Sequence, residues 1–512
     1  MIRTLKLPLF LCLPLPLFSQ QSDKSINIQS RKEPPPFGPL RFREDSVTII
    51  GEFKNSVSSP PFMVIFTNWV TREQVNYAAA VDASGKFRMK FPLPAESSII
   101  MKWGNAYFGN VAVPGETIYL HADANAIVEQ VPQDSAGIVA HAERQAVRYA
   151  GKNARLHNEI HRYMEVSQSL KLPRYADFDW GRQFKTMQQY SDTMASLFRI
   201  KMRYFEDYNK KHRLEARSRQ FIEARIRYDI GSRLTQQYFV MPGKDKYAGD
   251  DIFFQTVDTI ASQRFGTGYL SDEYLVVIDN IRDHSEMKAL ALRLNADSIY
   301  EQRYRHPIEK ILTDTWKTSE KYSQGFVYSD SMLKEVRRKV TDTFLLNRLY
   351  RQNDSLKALD ADDAILAETH FITEFPVMKS ADEIFAHIVA PFKGKVIYLD
   401  IWGTWCPPCR KMMEYMPAIK KQYAGKDVVF LYLAQNSPEA AWKNTIKQLR
   451  ITGPNVVHYR MPAMMQQVFE RQYLTGGYPS YLLIDKEGKL VTKQAPWPWA
   501  PDALYEAIDK LL

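Results

Sequence analysis

Three hydrophobic rhythms follow one another along the chain. From about residue 46 to 125, apolar and polar residues alternate in short runs, the period of half-buried strands. Ser46–Phe53, Met63–Thr67, Val75–Val81, Lys86–Phe91, Ser98–Trp103, Ala106–Val113 and Thr117–His121 are the predicted strands. Gly85 and Pro114-Gly115 supply turn chemistry between them. The spacing predicts a small antiparallel β-sandwich over residues 46–130. From 135 to 370 apolar residues recur at three and four positions among strong helix formers, which predicts an all-α region. Segments 138–170, 180–210, 213–238 and 329–358 carry the amphipathic pattern, and Pro242-Gly243 opens a loop over 242–252.

Residues 371–392 form a boundary with Pro376 and a short helix from Ser380 to Val389. Beyond it strands and helices alternate. Lys395–Trp402, Val428–Ala434, Ser480–Asp485 and Leu490–Lys493 read as strands. Cys406–Tyr423, Pro438–Leu449, Met464–Tyr473 and Pro501–Leu512 read as helices, the last with Pro501 in its first turn. That order predicts an α/β sheet covered by helices on both faces over 371–512. The chain is therefore read as multidomain: an N-terminal antiparallel β-sandwich, a central all-α region and a C-terminal α/β domain.

Two segments precede the strands. Met1–Lys6 is short and basic, Leu7 to Phe18 is mostly apolar, and Ser19-Gln20-Gln21 turns polar. This predicts a secretory signal peptide over 1–19 and a periplasmic or cell-envelope location. A retained anchor is the alternative, but the run is short and holds Pro8, Pro14 and Pro16. Cys12 sits between two leucines, unlike a lipoprotein acceptor, which follows a small residue. Residues 20–45, with Pro34-Pro35-Pro36, read as an irregular polar lead-in.

Charge and cysteine usage narrow the chemistry. The 512 residues carry a formal charge of +10. Residues 140–235 hold 20 Lys and Arg against 11 Asp and Glu, so most of the excess is local. The stretch from Arg199 to Arg233 is a candidate contact surface for an acidic partner, against the plainer reading of a solvated helical face. No zinc-finger spacing or aromatic-basic RNA-binding signature accompanies it, so no nucleic-acid partner is expected. Three cysteines exclude a disulfide scaffold and a four-cysteine zinc module. Once the leader and Cys12 are removed, only Cys406 and Cys409 remain to pair with each other. His157 and His161 have i, i+4 spacing, but no acidic third ligand in a recognisable motif follows, and exposed or capping roles are expected.

The chemistry gathers at Trp405-Cys406-Pro407-Pro408-Cys409, where a strand ends and a helix begins. Free amide N–H groups and the positive end of the helix dipole favour a thiolate there. Cys406, the more N-terminal, is the expected nucleophile, and Cys409, one turn in, the resolving thiol. Asp400 lies on an otherwise apolar strand, where burial raises a carboxyl pKa and suits it to take the Cys409 proton. A surface-facing Asp at a strand end is the plain alternative. Pro479 heads the strand that follows Gly476-Gly477-Tyr478. A cis Tyr478–Pro479 bond facing the cysteines gives a proline there a reason, and leaves the Tyr478 backbone to pair with an extended substrate peptide. A trans proline in a plain turn is the alternative. Trp405, Pro407 and Tyr478 border the pair and are the candidate substrate-binding residues.

On these residues the segment 371–512 resembles the TlpA/ResA-like thiol-disulfide oxidoreductases of the thioredoxin superfamily. The resemblance rests on Gly394-Lys395-Val396, on Asp400-Ile401-Trp402-Gly403-Thr404-Trp405-Cys406-Pro407-Pro408-Cys409-Arg410, and on Gly477-Tyr478-Pro479-Ser480 with Leu483–Lys489. It implies a thioredoxin fold, a Cys406 nucleophile, a resolving Cys409, a buried acid at Asp400 and a cis proline at Pro479. It also implies disulfide-bearing client proteins, a membrane thiol electron donor, and no cofactor or metal. Three features depart from the pattern. The helix proline appears as Pro417, eight residues after Cys409; extra residues lie around Met412-Met413-Glu414; and Val428–Ala434 offers no Lys to pair with Asp400. The layout of 46–370 looks like extensions found on such proteins in some Gram-negative envelopes, and a homodimer through the helical region is one arrangement it allows.

Two other classes compete. A thiol peroxidase needs a Thr three residues before its cysteine, whereas Thr404 is two before Cys406. An envelope binding or scaffold protein would use the redox module only to dock, which does not explain Cys406, Cys409 and Pro479 standing together.

Overall fold

The computed structural model describes residues 35–55, 60–104, 106–128, 146–167, 186–240, 250–261, 267–292, 295, 307–474 and 477–512. The expected leader, most of the lead-in, residues 242–249 of the expected loop and Gly476 lie outside the described residues.

Eight strands make two four-stranded sheets: β1 Ser46–Lys54, β2 Phe62–Thr67, β3 Gln74–Ala79, β4 Lys86–Pro92, β5 Ser97–Trp103, β6 Ala106–Ala112, β7 Thr117–Asp123 and β8 Val147–Ala150. The sheet orders are β4-β1-β7-β8 and β3-β2-β5-β6. Alternation sends Val47, Ile49, Phe62, Val64, Phe87, Met89, Ile118 and Leu120 into one apolar cluster shared by both sheets. Within it Phe53 stacks on Trp103 at 4.2 Å and Phe62 on Phe87 at 4.1 Å. The pairing departs from the wholly antiparallel expectation at one place, because β1 and β7 run parallel. The intervening strands β2 to β6 supply the long connection that a parallel pair needs. The strand β8 also falls where the pattern reads helical. Its Val147 and Tyr149 point inward while Arg148 and Ala150 face out, a period of two too short to stand out between helices.

The helical region comprises α1 Ala124–Val128, α2 Ala154–Ser167, α3 Met187–His212, α4 Ala216–Val240, α5 Asp250–Ile260, α6 Glu273–Leu292, α7 Pro307–Ser323, α8 Asp330–Lys339 and α9 Thr343–Asp360. Side-chain caps start several of them: Thr186 accepts from Gln189 N, Ser329 from Met332 N and Asp342 from Leu345 N. The Asp342 cap also divides what the sequence reads as one helix over 329–358. His157 and His161 are both buried, correcting the exposed or capping expectation. The α2 face that carries them packs on the β6–β7 corner. There His157 Nδ1 lies 3.1 Å from Asn110 Oδ1 and Nε2 lies 3.2 Å from Glu116 Oε2. Much of the basic stretch is paired within the fold: Lys201 and Arg233 share Asp229, Arg227 meets Glu223, and Arg225 meets Asp272.

The C-terminal region holds β9 His370–Ile372, α10 Ala381–Val389, β10 Val396–Trp402, α11 Pro407–Met413, α12 Met416–Gln422, β11 Val428–Ala434, α13 Glu439–Leu449, β12 Val456–Arg460, α14 Ala463–Tyr473, β13 Ser480–Ile484, β14 Leu490–Thr492 and α15 Pro501–Asp509. Its six-stranded sheet runs β14-β13-β10-β11-β12-β9. Every residue of β10 and β11 is buried, as befits central strands covered on both faces. Tyr398, Trp402, Phe430 and Tyr432 join the cluster on one face; Ile397, Leu399, Ile401, Leu431 and Leu433 join the other. The sequence reading lacks β9 and β12. The helix expected over 406–423 is two, with Pro417 in the first turn of α12.

The C-terminal region is docked on the helical one. Asn444 Nδ2 donates to the Gly325 carbonyl at 3.1 Å, and Arg410 Nη1 donates to the Ser323 carbonyl. A cleft of about 1150 Å³ opens where all three regions meet, with Arg72, Glu73, Trp316, Glu320, Pro407 and Arg410 among its walls.

Candidate active site

Strand β10 delivers its last residues to one end of the sheet, and the cysteines follow at once. Thr404 N donates to Ser437 Oγ at 3.1 Å, and Gln435 N donates to the Trp402 carbonyl at 2.8 Å, so the loop after β11 braces the turn. Cys406 is the N-cap of α11, in extended conformation, and its Sγ accepts from Cys409 N at 3.2 Å. Pro407 and Pro408 occupy the first turn, where a proline loses no needed N–H. The two cysteines are joined by a disulfide with an S–S distance of 2.01 Å. Cys406 is 4% exposed and Cys409 0%, while both prolines face solvent.

The Tyr478–Pro479 bond is cis. Strand β13 pairs antiparallel with β10, Ser480 opposite Ile401, which brings Pro479 to the cysteine end of the sheet. Trp405 is 37% exposed and donates its indole N–H to the Gln435 carbonyl at 3.1 Å. Its ring meets Tyr478 edge-on at 4.9 Å. The Tyr478 hydroxyl donates to Glu470 on α14. Trp405, Cys406, Pro407, Tyr478 and Pro479 are thus brought to one rim, with Cys409 beneath it.

Asp400 lies deeper, on the Tyr398–Trp402 face of β10, between Tyr432 of β11 and Tyr481 of β13 in register. It is 1% exposed, and neither carboxyl oxygen has a hydrogen-bond partner among the described residues. Burial alone pushes its pKa well above the usual carboxyl range. The phenols of Tyr432 and Tyr481 are pushed up as well, by burial first and then by the Asp400 charge. A carboxyl whose pKa is raised in this way is a stronger base when ionised than a free carboxylate, and can exchange a proton with a neighbouring group. Among the described residues no cluster of three or more His, Cys, Asp or Glu could hold a metal ion.

Glu470, Gln435 and Arg410 belong to this site, and the sequence reading passes over them as site residues. Glu470 and Arg410 look like ordinary helix-surface charges, and Gln435 is one polar residue past a strand. Only the spacing of Gln466 and Glu470 hints at a pair, since the Gln466 amide donates to Glu470 at 2.8 Å.

The Redoxin family matches residues 377–500. The chain is 37% identical over 101 residues to the thiol-disulfide oxidoreductase ResA of Bacillus cereus, covering 20% of this chain and 55% of that protein. It is 30% identical over 103 residues to ResA of Bacillus subtilis, covering 20% and 54%. The chain thus spans about half the length of the curated relatives it matches. It is also similar to the solved thioredoxin domain of a thiol-disulfide oxidoreductase from Bacteroides vulgatus, with 26% identity, 24% of this chain and 82% of that chain covered, and a TM-score of 0.21. The C-terminal region of this chain is therefore similar to the TlpA/ResA-like thiol-disulfide oxidoreductases of the thioredoxin superfamily.

Proposed function

We propose that the chain is an exported thiol-disulfide oxidoreductase that reduces disulfides of envelope client proteins. The observation that carries this reading is the Cys406–Cys409 disulfide at the start of α11, set beside cis Pro479 and above the unpartnered carboxyl of Asp400. In the reduced protein the Cys406 thiolate attacks one sulfur of a client disulfide. A Cys406–client bond forms and the other client sulfur leaves as a thiolate, taking a proton. The ionised Asp400 carboxylate accepts the Cys409 proton; the Cys409 thiolate attacks Cys406 Sγ, the Cys406–client bond breaks, and the second client sulfur departs as a thiol, taking that proton back from Asp400. The client gains two electrons and two protons, and the Cys406–Cys409 disulfide remains for a membrane thiol donor to reduce. Trp405, Pro407 and Tyr478 form the rim against which the client segment rests.

The location follows from the leader over 1–19, and no helix among the described residues is long and apolar enough to cross a membrane. We read the two N-terminal sheets as layers of a sandwich-like domain, and the helical region as a platform for the redox module, with homodimerisation through it as a further role. Equilibration of the mature protein in a thiol redox buffer tests the direction of transfer. A potential near or below about −250 mV supports the reductase; one between about −120 and −180 mV makes it an oxidant or isomerase. No reversible two-electron couple removes the enzyme in favour of a docking module. A Cys406→Ser variant separates the same two readings, losing turnover in the first and keeping partner binding in the second.

A further inference from the structure

Residues 46–370 take no part in the exchange chemistry, yet they reach the helix that performs it. Arg410 follows Cys406 by four positions, and its backbone N–H donates to the Cys406 carbonyl at 3.2 Å. The two residues therefore share one turn and one face of α11. Helical side chains lean towards the N-terminus, which carries the Arg410 stem back over the turn that holds Cys406. Its guanidinium ends against the Ser323 carbonyl, at the C-terminal end of α7 where the helix dipole is negative. Glu73 from the loop before β3 and Glu320 from α7 line the same cleft as Arg410 and Pro407. Arg72 and Asp279 share that wall; Arg72 pairs with Asp279 and lies 3.9 Å from Glu320. Burial pulls the Arg410 pKa down, and the Glu73 and Glu320 charges push it back up.

The cation matters to the couple because charge appears in only one of its two states. The disulfide is neutral, whereas the reduced pair carries a thiolate at Cys406. A guanidinium near that sulfur stabilises the reduced form; carboxylates beside the guanidinium offset it. Both carboxylates come from outside the redox region. We propose that the N-terminal regions set the redox poise of the Cys406–Cys409 couple, Glu73 and Glu320 attenuating the field that Arg410 places on the Cys406 thiolate. Arg410, Glu73 and Glu320 are positioning residues in this scheme. A partner that drew the loop at Glu73 away from Arg410 would shift the couple towards the dithiol without touching either cysteine. The inference rests on the reading that the pair is redox-active.

The test measures the equilibrium of the full chain with glutathione, in which two glutathione thiols reduce the protein disulfide and leave as one glutathione disulfide. Glu73 is exposed and Glu320 half-exposed, so the double variant Glu73→Gln, Glu320→Gln keeps the fold. It is expected to move the equilibrium about fivefold towards the dithiol, about 20 mV at about 30 mV per factor of ten. Arg410→Gln is expected to move it in the opposite direction, and Arg410→Lys to stay nearer the wild type. Opposite signs are what a purely structural role does not produce. The inference is overturned if the carboxamide double variant stays within twofold of wild type, or if it and Arg410→Gln move the equilibrium the same way. A wild-type chain with no reversible couple overturns both this inference and the proposed function; a wild-type couple that ignores the variants overturns this inference alone.

Discussion

Lys447 of α13 places its ammonium 3.0 Å from the Asp363 carboxylate and 2.8 and 3.1 Å from the carbonyls of Asp360 and Leu359. A cation of the C-terminal region thus caps the last turn of α9 in the helical region, where unpaired carbonyls gather. Asp363 is largely exposed while the Lys447 side chain is buried, so the carbonyls carry most of the contact. Lys447→Met keeps the stem and removes the charge, taking the ammonium from both carbonyls while Leu359 O keeps the Asp362 N–H at 3.1 Å. It should weaken docking by about 1.5–3 kcal/mol, the range for hydrogen bonds to a charged group. Hydrogen exchange should rise at the end of α9 and in α13 while β10 and β11 stay protected. Unchanged exchange at both places would remove Lys447 as a docking residue.

Gly325 tests the same interface sterically. Its φ is +85°, and a Cβ there would lie 2.3 Å from the Ala441 carbonyl oxygen. Gly325→Ala therefore meets both a backbone penalty and a backbone clash, at a cost of about 1–3 kcal/mol. The expected outcome is a lower midpoint for separation of α7 from α13 with an unaltered redox couple in the folded protein. A variant as stable as wild type would show that the two backbones are not in contact in solution.

Asp400 predicts a pH dependence with a definite sign. Its folded pKa is raised from 3.8, so the folded state holds a proton that the unfolded chain releases. Its contribution to stability is present in full below pH 3.8 and is lost as pH rises towards the folded pKa. Asp400→Asn does not titrate, so its stability relative to wild type should improve as pH rises from about 4 towards the folded pKa of Asp400, read by denaturant melts at each pH. In the proposed cycle the same variant removes the acceptor for the Cys409 proton, and release of client from the mixed disulfide should slow on the order of a hundredfold. A difference between the two melts that is flat with pH would mean that Asp400 is ionised and solvated in the folded state.

The sequence carries the chemistry of the rim and little of what holds it. Cys406, Cys409, Asp400 and Pro479 stand out because each breaks a local pattern: a thiol pair, a charge on an apolar strand, a proline heading a strand. Glu470, Arg410 and Lys447 break none, and their partners lie 8, 87 and 84 residues away. On a helix a charge turned to solvent and a charge turned to another domain look alike. Strand β12, Val456-Val457-His458-Tyr459-Arg460, shows no alternation because four of its five residues are buried. His458 is read as polar, yet it sits among Phe371, Tyr432 and Trp442, and burial drops its pKa to about 3. The parallel pairing of β1 with β7 is likewise a property of the connection between them, not of either strand.

The order of the two cysteines is open to direct capture. In the disulfide form Cys406 is 4% exposed and Cys409 fully enclosed, and only Cys406 borders the rim of Trp405, Pro407 and Tyr478. In the proposed cycle attack on a client comes from Cys406, and Cys409 acts on the bond that Cys406 has made. Cys409→Ser stops the cycle at that bond and should accumulate a Cys406–client disulfide, seen as a higher-mass band that collapses under reductant. Cys406→Ser should accumulate none. Cys12 is the only other cysteine in the sequence, so in a Cys12→Ser background any such adduct of the Cys409→Ser protein is fixed at Cys406. Adducts formed by Cys406→Ser in place of Cys409→Ser would reverse the assignment and make the enclosed thiol the nucleophile.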